Sequence, residues 1–157
     1  MPNRELLRHT VATLAYRGGK TMRGVPAALS TFRISEGSRS AGEILAHIGD
    51  LLDWGLSLAR GAEAWHESPP RAWDADVARF FDGLRAFDAH LASDAALGAT
   101  CERLFQGPIA DALTHVGQIA MLRRLAGSPV RAENYSRADI VAGRAGAEQS
   151  PPRREFD

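Results

Sequence analysis

Apolar side chains recur at helical spacing in four stretches of this chain, and no stretch shows the strict alternation of a convincing β-strand. The first stretch follows Asn3, which can cap a helix that runs to about Tyr16. Gly18-Gly19 is expected to stop or weaken this helix, with renewed helix through Met22 as the alternative. Residues 24–39, which contain Pro26, are then predicted to form a connection.

A capping box predicts where the second helix begins. In Ser40-Ala-Gly-Glu43 the serine side chain can accept from the third helical N–H, and the glutamate can accept the serine N–H in return. Gly61 is a plausible end for this helix. Its apolar stripe includes one histidine and consists of Ile44, His47, Leu51, Trp54 and Leu58.

Two further helices follow a loop over 63–72. Asp74 is the expected N-cap of the third helix, whose inward series is Val77, Phe80, Leu84, Phe87 and Leu91. The fourth helix is expected to begin at Gly107-Pro108, because proline at the first helical position gives up an N–H that has no helical partner. Gly127 should end it, and Ser136 can cap one or two later turns.

Four amphipathic helices without strands predict an all-α fold, a four-helix bundle. The expected bundle domain spans residues 1–142. Glycine, alanine, proline and charged residues dominate from Gly143 onward, which predicts a flexible C-terminal tail, a short extension over 143–157.

Charge and cysteine content indicate which partners and which compartment to expect. The 157 residues carry equal numbers of basic and acidic side chains, whereas nucleic-acid binding favours a basic surplus, so no nucleic-acid partner is expected. The N-terminus lacks the pattern of a secretory signal and no apolar run approaches the ~18 residues of a membrane span. Together with the single Cys101, this predicts a cytoplasmic protein with no membrane partner.

The candidate chemistry is a metal site. Asp111 and His115 lie four residues apart in the fourth helix, where two side chains can converge on one divalent ion, and His47 can approach from the second helix. The competing interpretation is structural. A histidine on an apolar face is often hydrogen-bonded in the core, and a carboxylate in a first helical turn is favoured by the helix dipole.

Nearby polar groups leave similar alternatives. Glu43 could be a fourth ligand or a general base, although its capping position explains it without catalysis, and Asp50 could orient the His47 imidazole or be a solvated surface residue. Trp54 could wall the pocket or be plain core. Basic residues of the first quarter could rim the pocket and attract an anionic substrate, or be solvated; these are Arg17, Lys20, Arg23, Arg33 and Arg39.

The segments SAGEILAHIGDLLDW at 40–54, GPIADALTHVGQI at 107–119 and LRRLAGSP at 122–129 resemble the DinB/YfiT-like superfamily. The resemblance covers most of residues 4–142. It implies an up-down-down-up four-helix bundle, often dimeric, which holds zinc or nickel through one histidine of the second helix and two histidines of the fourth. His47 and His115 match two of these ligands, whereas Asp111 stands where the family has a histidine.

The resemblance implies a metal-dependent enzyme that acts on a small-molecule substrate by hydrolysis or by thiol S-transfer, with a low-molecular-weight thiol as a possible second partner and a homodimer as the expected assembly. Two histidines and a carboxylate suit zinc, nickel, manganese or iron. Glu43 and Asp50 are the candidate catalytic proton acceptors. The alternative is a non-catalytic bundle, for small-ligand binding or dimerisation, in which the shorter aspartate leaves a degenerate metal site.

Overall fold

Four long helices make up most of the computed structural model, which describes residues 2–156. The fourth is a continuous helix of three segments with a π-helical turn in the middle. The helices are α1 (Pro2–Met22), α2 (Ala41–Ala59), α3 (Trp73–Ala92) and α4 (Cys101–Leu104, Phe105–Ile109 and Ala110–Leu125), with short 3₁₀ turns at Ala27–Thr31 and Tyr135–Arg137. Within residues 2–156 no strand forms, and the all-α prediction is confirmed.

Contacts between the helices show which pairs run parallel and which run antiparallel. Residues early in α3 contact the first half of α2, and residues late in α3 contact its end: Arg79 donates to the Ala46 carbonyl, and the ring of His90 bonds the Ala59 carbonyl. The two helices therefore run parallel. A parallel pair needs a connection that returns along the full helix length, which residues 60–72 supply.

The other neighbours complete the bundle. Arg8 at the start of α1 binds Asp88 near the end of α3, so these two helices are antiparallel. On α4, Pro108 lies beside Gly55 and later residues lie beside the first half of α2, which makes that pair antiparallel as well. The order is up-down-down-up. The largest fully buried side chains come from all four helices and include Leu14, Leu45, Ile48, Leu52, Phe80, Leu84, Phe87, Leu104 and Ile119.

The predicted stop at Gly18-Gly19 is wrong, because α1 continues through both residues to Met22, as the alternative prediction had it. The two glycines permit close packing against α3 instead. A Cβ at Gly18 would lie 2.5 Å from Cζ of the fully buried Phe80, and one at Gly19 would lie 3.2 Å from the ring of Phe81.

Helix starts agree with the sequence prediction at Ser40 and differ in the other three cases. Asn3, the predicted cap of the first helix, lies inside α1 (Pro2–Met22). The Ser40 and Glu43 capping box is present, with both hydrogen bonds formed. Asp74, however, lies inside the first turn of α3, whose N-cap is Ala72 without a side-chain bond. The carboxylate that accepts a backbone N–H at this end of the helix is that of Asp76, which binds the N–H of Arg71 at 2.8 Å.

The fourth helix begins before Pro108, so that predicted start is wrong. Thr100 caps α4 by accepting the Arg103 N–H at 3.1 Å. Pro108 lies within the π turn Phe105–Ile109, an irregular segment that tolerates a residue without an N–H. The helix ends before Gly127, whose φ of 82° suits glycine.

The chain after α4 packs back on α1. Asn134, and not Ser136, caps the short 3₁₀ turn, by accepting the Ser136 N–H. Glu133 pairs with Glu155 as an isolated antiparallel bridge, and Ala145 is buried against the core. The boundary at residue 142 and the mobility of residues 143–157 stay predictions.

Candidate metal centre

His47, Asp111 and His115 meet where the first half of α2 packs against α4. The His47 Nε2 atom lies 3.8 Å from Asp111 Oδ2, and the His115 Nδ1 atom lies 3.3 Å from Asp111 Oδ1. The two imidazole rings are 4.6 Å apart between centroids, at an interplanar angle of 62°. The structure thus brings together the three residues that the spacing and the resemblance singled out.

The backbone of α4 fixes the His115 ring. Its Nδ1 lies 2.8 Å from the Asp111 carbonyl oxygen, one turn earlier. A carbonyl can only accept, so Nδ1 carries a proton, and in the neutral ring the lone pair is then on Nε2. A histidine held in this way is ready to ligate a metal through Nε2.

The donor set fits a divalent ion. One potential ligand atom from each of the three side chains lies within 4.8 Å of the other two, and the group could hold a metal ion. The two imidazoles are largely shielded, with side chains 17% and 11% exposed, whereas Asp111 is 45% exposed. One side of the centre therefore faces solvent, as a site that admits a further ligand requires.

The surroundings favour the neutral form of His47 by lowering its pKa. Burial lowers the pKa of His47, and the positive charge of Arg39 and the neighbouring His115 lower it further. The carboxylates of Asp111 and Asp50 act in the opposite direction without overcoming these effects. A neutral imidazole is the form that binds metals.

A tryptophan from the 60–72 connection covers His47. The Trp65 ring lies edge-on to His47 at 5.8 Å and edge-on to Trp54 at 6.0 Å, and it is 41% exposed. Trp54 was predicted from the sequence as a pocket wall or plain core, whereas Trp65 was not predicted to reach the site. No local signal marks a loop residue that reaches a site through the path of the chain.

A small cleft of about 180 Å³ adjoins the centre at His47. Of the five basic residues considered as a rim, Arg39 alone lines it; Arg33 binds Glu43, and Lys20 binds Glu133 and Glu155 elsewhere. The cleft is lined by Arg39, Glu43, His47, Asp50, Glu67, Ser68 and Pro70.

Glu43 and Asp50 both line this cleft but have other partners. Glu43 accepts the Ser40 N–H at 2.8 Å and binds Arg33, and the Ser40 bond is the main reason that its pKa lies below the usual value. Asp50 accepts from Arg79 at 2.7 Å and from the Ser68 N–H at 3.0 Å. Their assignment as proton acceptors stays a prediction.

The remaining histidines lie apart from the centre. His9 and His66 are exposed, and the His90 ring bonds the Ala59 carbonyl. Arg123, near the end of α4, is buried and donates to the carbonyls of Thr21, Arg23 and Ser128.

No protein-family model matches the chain, and no curated protein or solved structure matches it. Across residues 2–156, no helix combines the length and the hydropathy that a membrane span requires. The function is therefore inferred from the candidate metal centre itself.

Proposed function

We propose that this protein is a divalent-metal-dependent enzyme of the DinB/YfiT-like superfamily that acts on a small molecule. The observation that carries the proposal is the convergence of two imidazoles and one carboxylate from two antiparallel helices, with one side exposed. Structural sites usually have four protein ligands, and three with an open side are typical of catalysis.

Zinc or nickel is the proposed ion, because both accept two imidazole nitrogens and a carboxylate oxygen; manganese and iron are the alternatives. When bound, such an ion supplies Lewis acidity, which polarises an electrophile and provides a nucleophile at neutral pH. Asp111 would contribute negative charge that a third histidine lacks, and this lowers the net charge of the centre.

The residues of the chain have distinct tasks in this proposal. His47 and His115 would hold the ion, and the Asp111 carbonyl keeps the His115 ring oriented. Trp65 limits the access of water on the His47 side. Hydrolysis and thiol S-transfer are the proposed reaction types, the latter with a low-molecular-weight thiol as co-substrate, and a homodimer is the proposed assembly.

The rival function is a non-catalytic bundle that binds a small ligand or mediates dimerisation, with the polar trio as a degenerate metal site. The short contacts favour this rival in one respect. The Asp111 carboxylate lies 3.3 Å from His115 Nδ1 and 3.8 Å from His47 Nε2, so it can form an ion pair with an imidazolium in place of a metal.

Metal stoichiometry separates the two functions. The untagged protein, purified without chelator, is expected to bind about one zinc or nickel ion, and His47→Ala and Asp111→Asn are expected to lose most of the affinity. Loss of one ligand typically removes a large share of metal affinity, whereas His9→Ala, at an exposed position on α1, should leave it unchanged.

Asp111→His provides the complementary test. It restores the three-histidine set of the family and should retain or strengthen zinc and nickel binding if position 111 ligates. Wild-type protein that takes up no zinc, nickel, manganese or iron, and whose melting temperature ignores them, contradicts the enzyme proposal and supports the rival. Metal that persists in both His47→Ala and Asp111→Asn places the site elsewhere.

A further inference from the structure

The cleft beside His47 carries two opposite charges that lack partners. Arg39 and Glu67 both line it, and among residues 2–156 neither forms a hydrogen bond or an ion pair. The other carboxylates of the cleft are already paired, Glu43 with Arg33 and Asp50 with Arg79. One cation and one anion thus remain available to a ligand.

The wall that carries Glu67 is fixed in place. The backbone N–H of Ser68 donates to Asp50, which is 4% exposed and is itself held by Arg79. Two consecutive prolines follow, and proline restricts the backbone to a narrow φ range. The cleft is therefore a preorganised surface, which reduces the entropy that a ligand must give up on binding.

Arg39 lines the cleft that adjoins the metal centre through His47. The two residues thus share this cleft, and the positive charge of Arg39 is, after burial, the largest cause of the lowered pKa of His47. A group that binds Arg39 is consequently placed next to the His47 imidazole. A guanidinium is suited to carboxylates and other planar oxyanions, because it can donate two parallel hydrogen bonds.

We propose that the cleft binds a small zwitterionic molecule, whose anionic group is held by Arg39 and whose cationic group is held by Glu67. The volume of about 180 Å³ is below the ~300 Å³ of sites for drug-sized ligands, and it suits a molecule of amino-acid size. This names the substrate class of the proposed enzyme and rests on that function for the reaction, although the binding itself requires no metal.

The test compares three probes on chelator-treated protein by isothermal titration calorimetry. L-phenylalanine carries both charges, L-phenylalaninamide lacks the anion and N-acetyl-L-phenylalanine lacks the cation. We expect L-phenylalanine to bind about twofold to fivefold more tightly than either derivative, the range of partly exposed ion pairs.

Two variants assign each charge to its partner. Arg39→Gln should abolish the preference for L-phenylalanine over its amide, and Glu67→Gln should abolish the preference over the N-acetyl derivative. Arg60→Gln removes the same charge near the opposite end of α2, roughly 30 Å away at 1.5 Å per residue, and should change neither.

Equal binding of the three probes, no binding of L-phenylalanine at millimolar concentration, or a preference that survives both variants overturns the proposal. The metal stoichiometry of the same protein is measured separately. A chain that binds metal but ignores the probes loses only the substrate class. A chain that discriminates the probes and takes up no metal keeps the cleft and loses the enzyme proposal.

Discussion

At the scale of single residues, the centre depends on the proton held by each histidine. The His115 ring is oriented by a carbonyl acceptor, whereas burial and the positive charge of Arg39 lower the pKa of His47 and so favour its neutral form. The two imidazoles are therefore prepared for ligation by different means, one by a hydrogen bond and the other by its environment.

The lowered pKa of His47 has a consequence for stability. Below its ordinary value of 6.5, the unfolded chain protonates this imidazole more readily than the folded chain does. The free energy of unfolding of chelator-treated protein should therefore fall as the pH drops below about 6.5, until the folded pKa is passed. From about pH 7.5 upward the imidazole is neutral in the unfolded chain as well, and this group should contribute no slope.

Urea titrations between pH 5 and pH 8 measure this effect, with His47→Gln as the matched variant. The difference in unfolding free energy between the two proteins should change with pH below about 7.5 and be constant above it. A difference that stays constant over the whole range would contradict the assignment of the lowered pKa to His47.

Residue spacing anticipated the three members of the centre but not their setting. A separation of four residues predicts that Asp111 and His115 share a helix face, and the apolar stripe of α2 includes His47. Trp65 and Glu67 belong to a connection without periodicity, and their positions depend on Asp50 binding the Ser68 N–H. Such a tertiary contact leaves no local signal.

At the scale of elements, glycine has opposite effects in α1 and α4. Gly18→Ala should destabilise the protein, because overpacking against the fully buried Phe80 costs about 1–3 kcal/mol and exceeds the gain in helix propensity of ~1 kcal/mol. Gly117→Ala should stabilise it by up to ~1 kcal/mol, since a Cβ there meets nothing within 4 Å.

Chemical denaturation followed by tryptophan fluorescence compares the two variants. Similar stabilisation by both would show that α1 and α3 are not in close contact at Gly18. Similar destabilisation by both would instead contradict the open surroundings of Gly117.

Helix starts were predictable where local chemistry decides them. Ser40 and Glu43 bond each other's backbone within one turn, and that signal is complete in the sequence. Asp74 was wrongly predicted as the N-cap, and the aspartate that accepts a backbone N–H at this end of α3 is Asp76, which binds the N–H of Arg71. Pro108 was wrongly predicted as a helix start, because a π turn can include a proline. Gly18-Gly19 resembles a helix stop until the packing partner Phe80 is known.

At the scale of the whole molecule, the C-terminal segment is tied to α1 by a buried network. Glu133, with a fully buried side chain, accepts from the Tyr16 hydroxyl and from Lys20, each at 2.6 Å. Lys20 also binds Glu155 at 2.9 Å. Burial and the bond to Glu133 raise the pKa of Tyr16 well above its usual value. The last turns of α1 thus hold two distant parts of the chain.

Truncation after Ala142 tests the predicted domain boundary. Removing residues 143–157 deletes the Lys20 to Glu155 pair and the buried Ala145, and should lower the unfolding free energy by roughly 1–2 kcal/mol. Thermal melting measures it, with Glu155→Gln in the full chain to isolate the ion pair. Unchanged stability would support the mobile tail that the composition predicts.

The π turn in α4 makes the centre sensitive to chain length. Leu104 and Ile109 are five residues apart and both fully buried, although an α-helix would place them ~140° apart. The turn therefore resets the angular phase of everything that follows it. Loss of one residue within 105–109 would leave Leu104 and Ile109 four positions apart, a spacing that a regular α-helix keeps on one face. Such a deletion would therefore let Asp111 and His115 stay on the face that meets α2, whereas one further inserted residue would turn them away from it by about 100°.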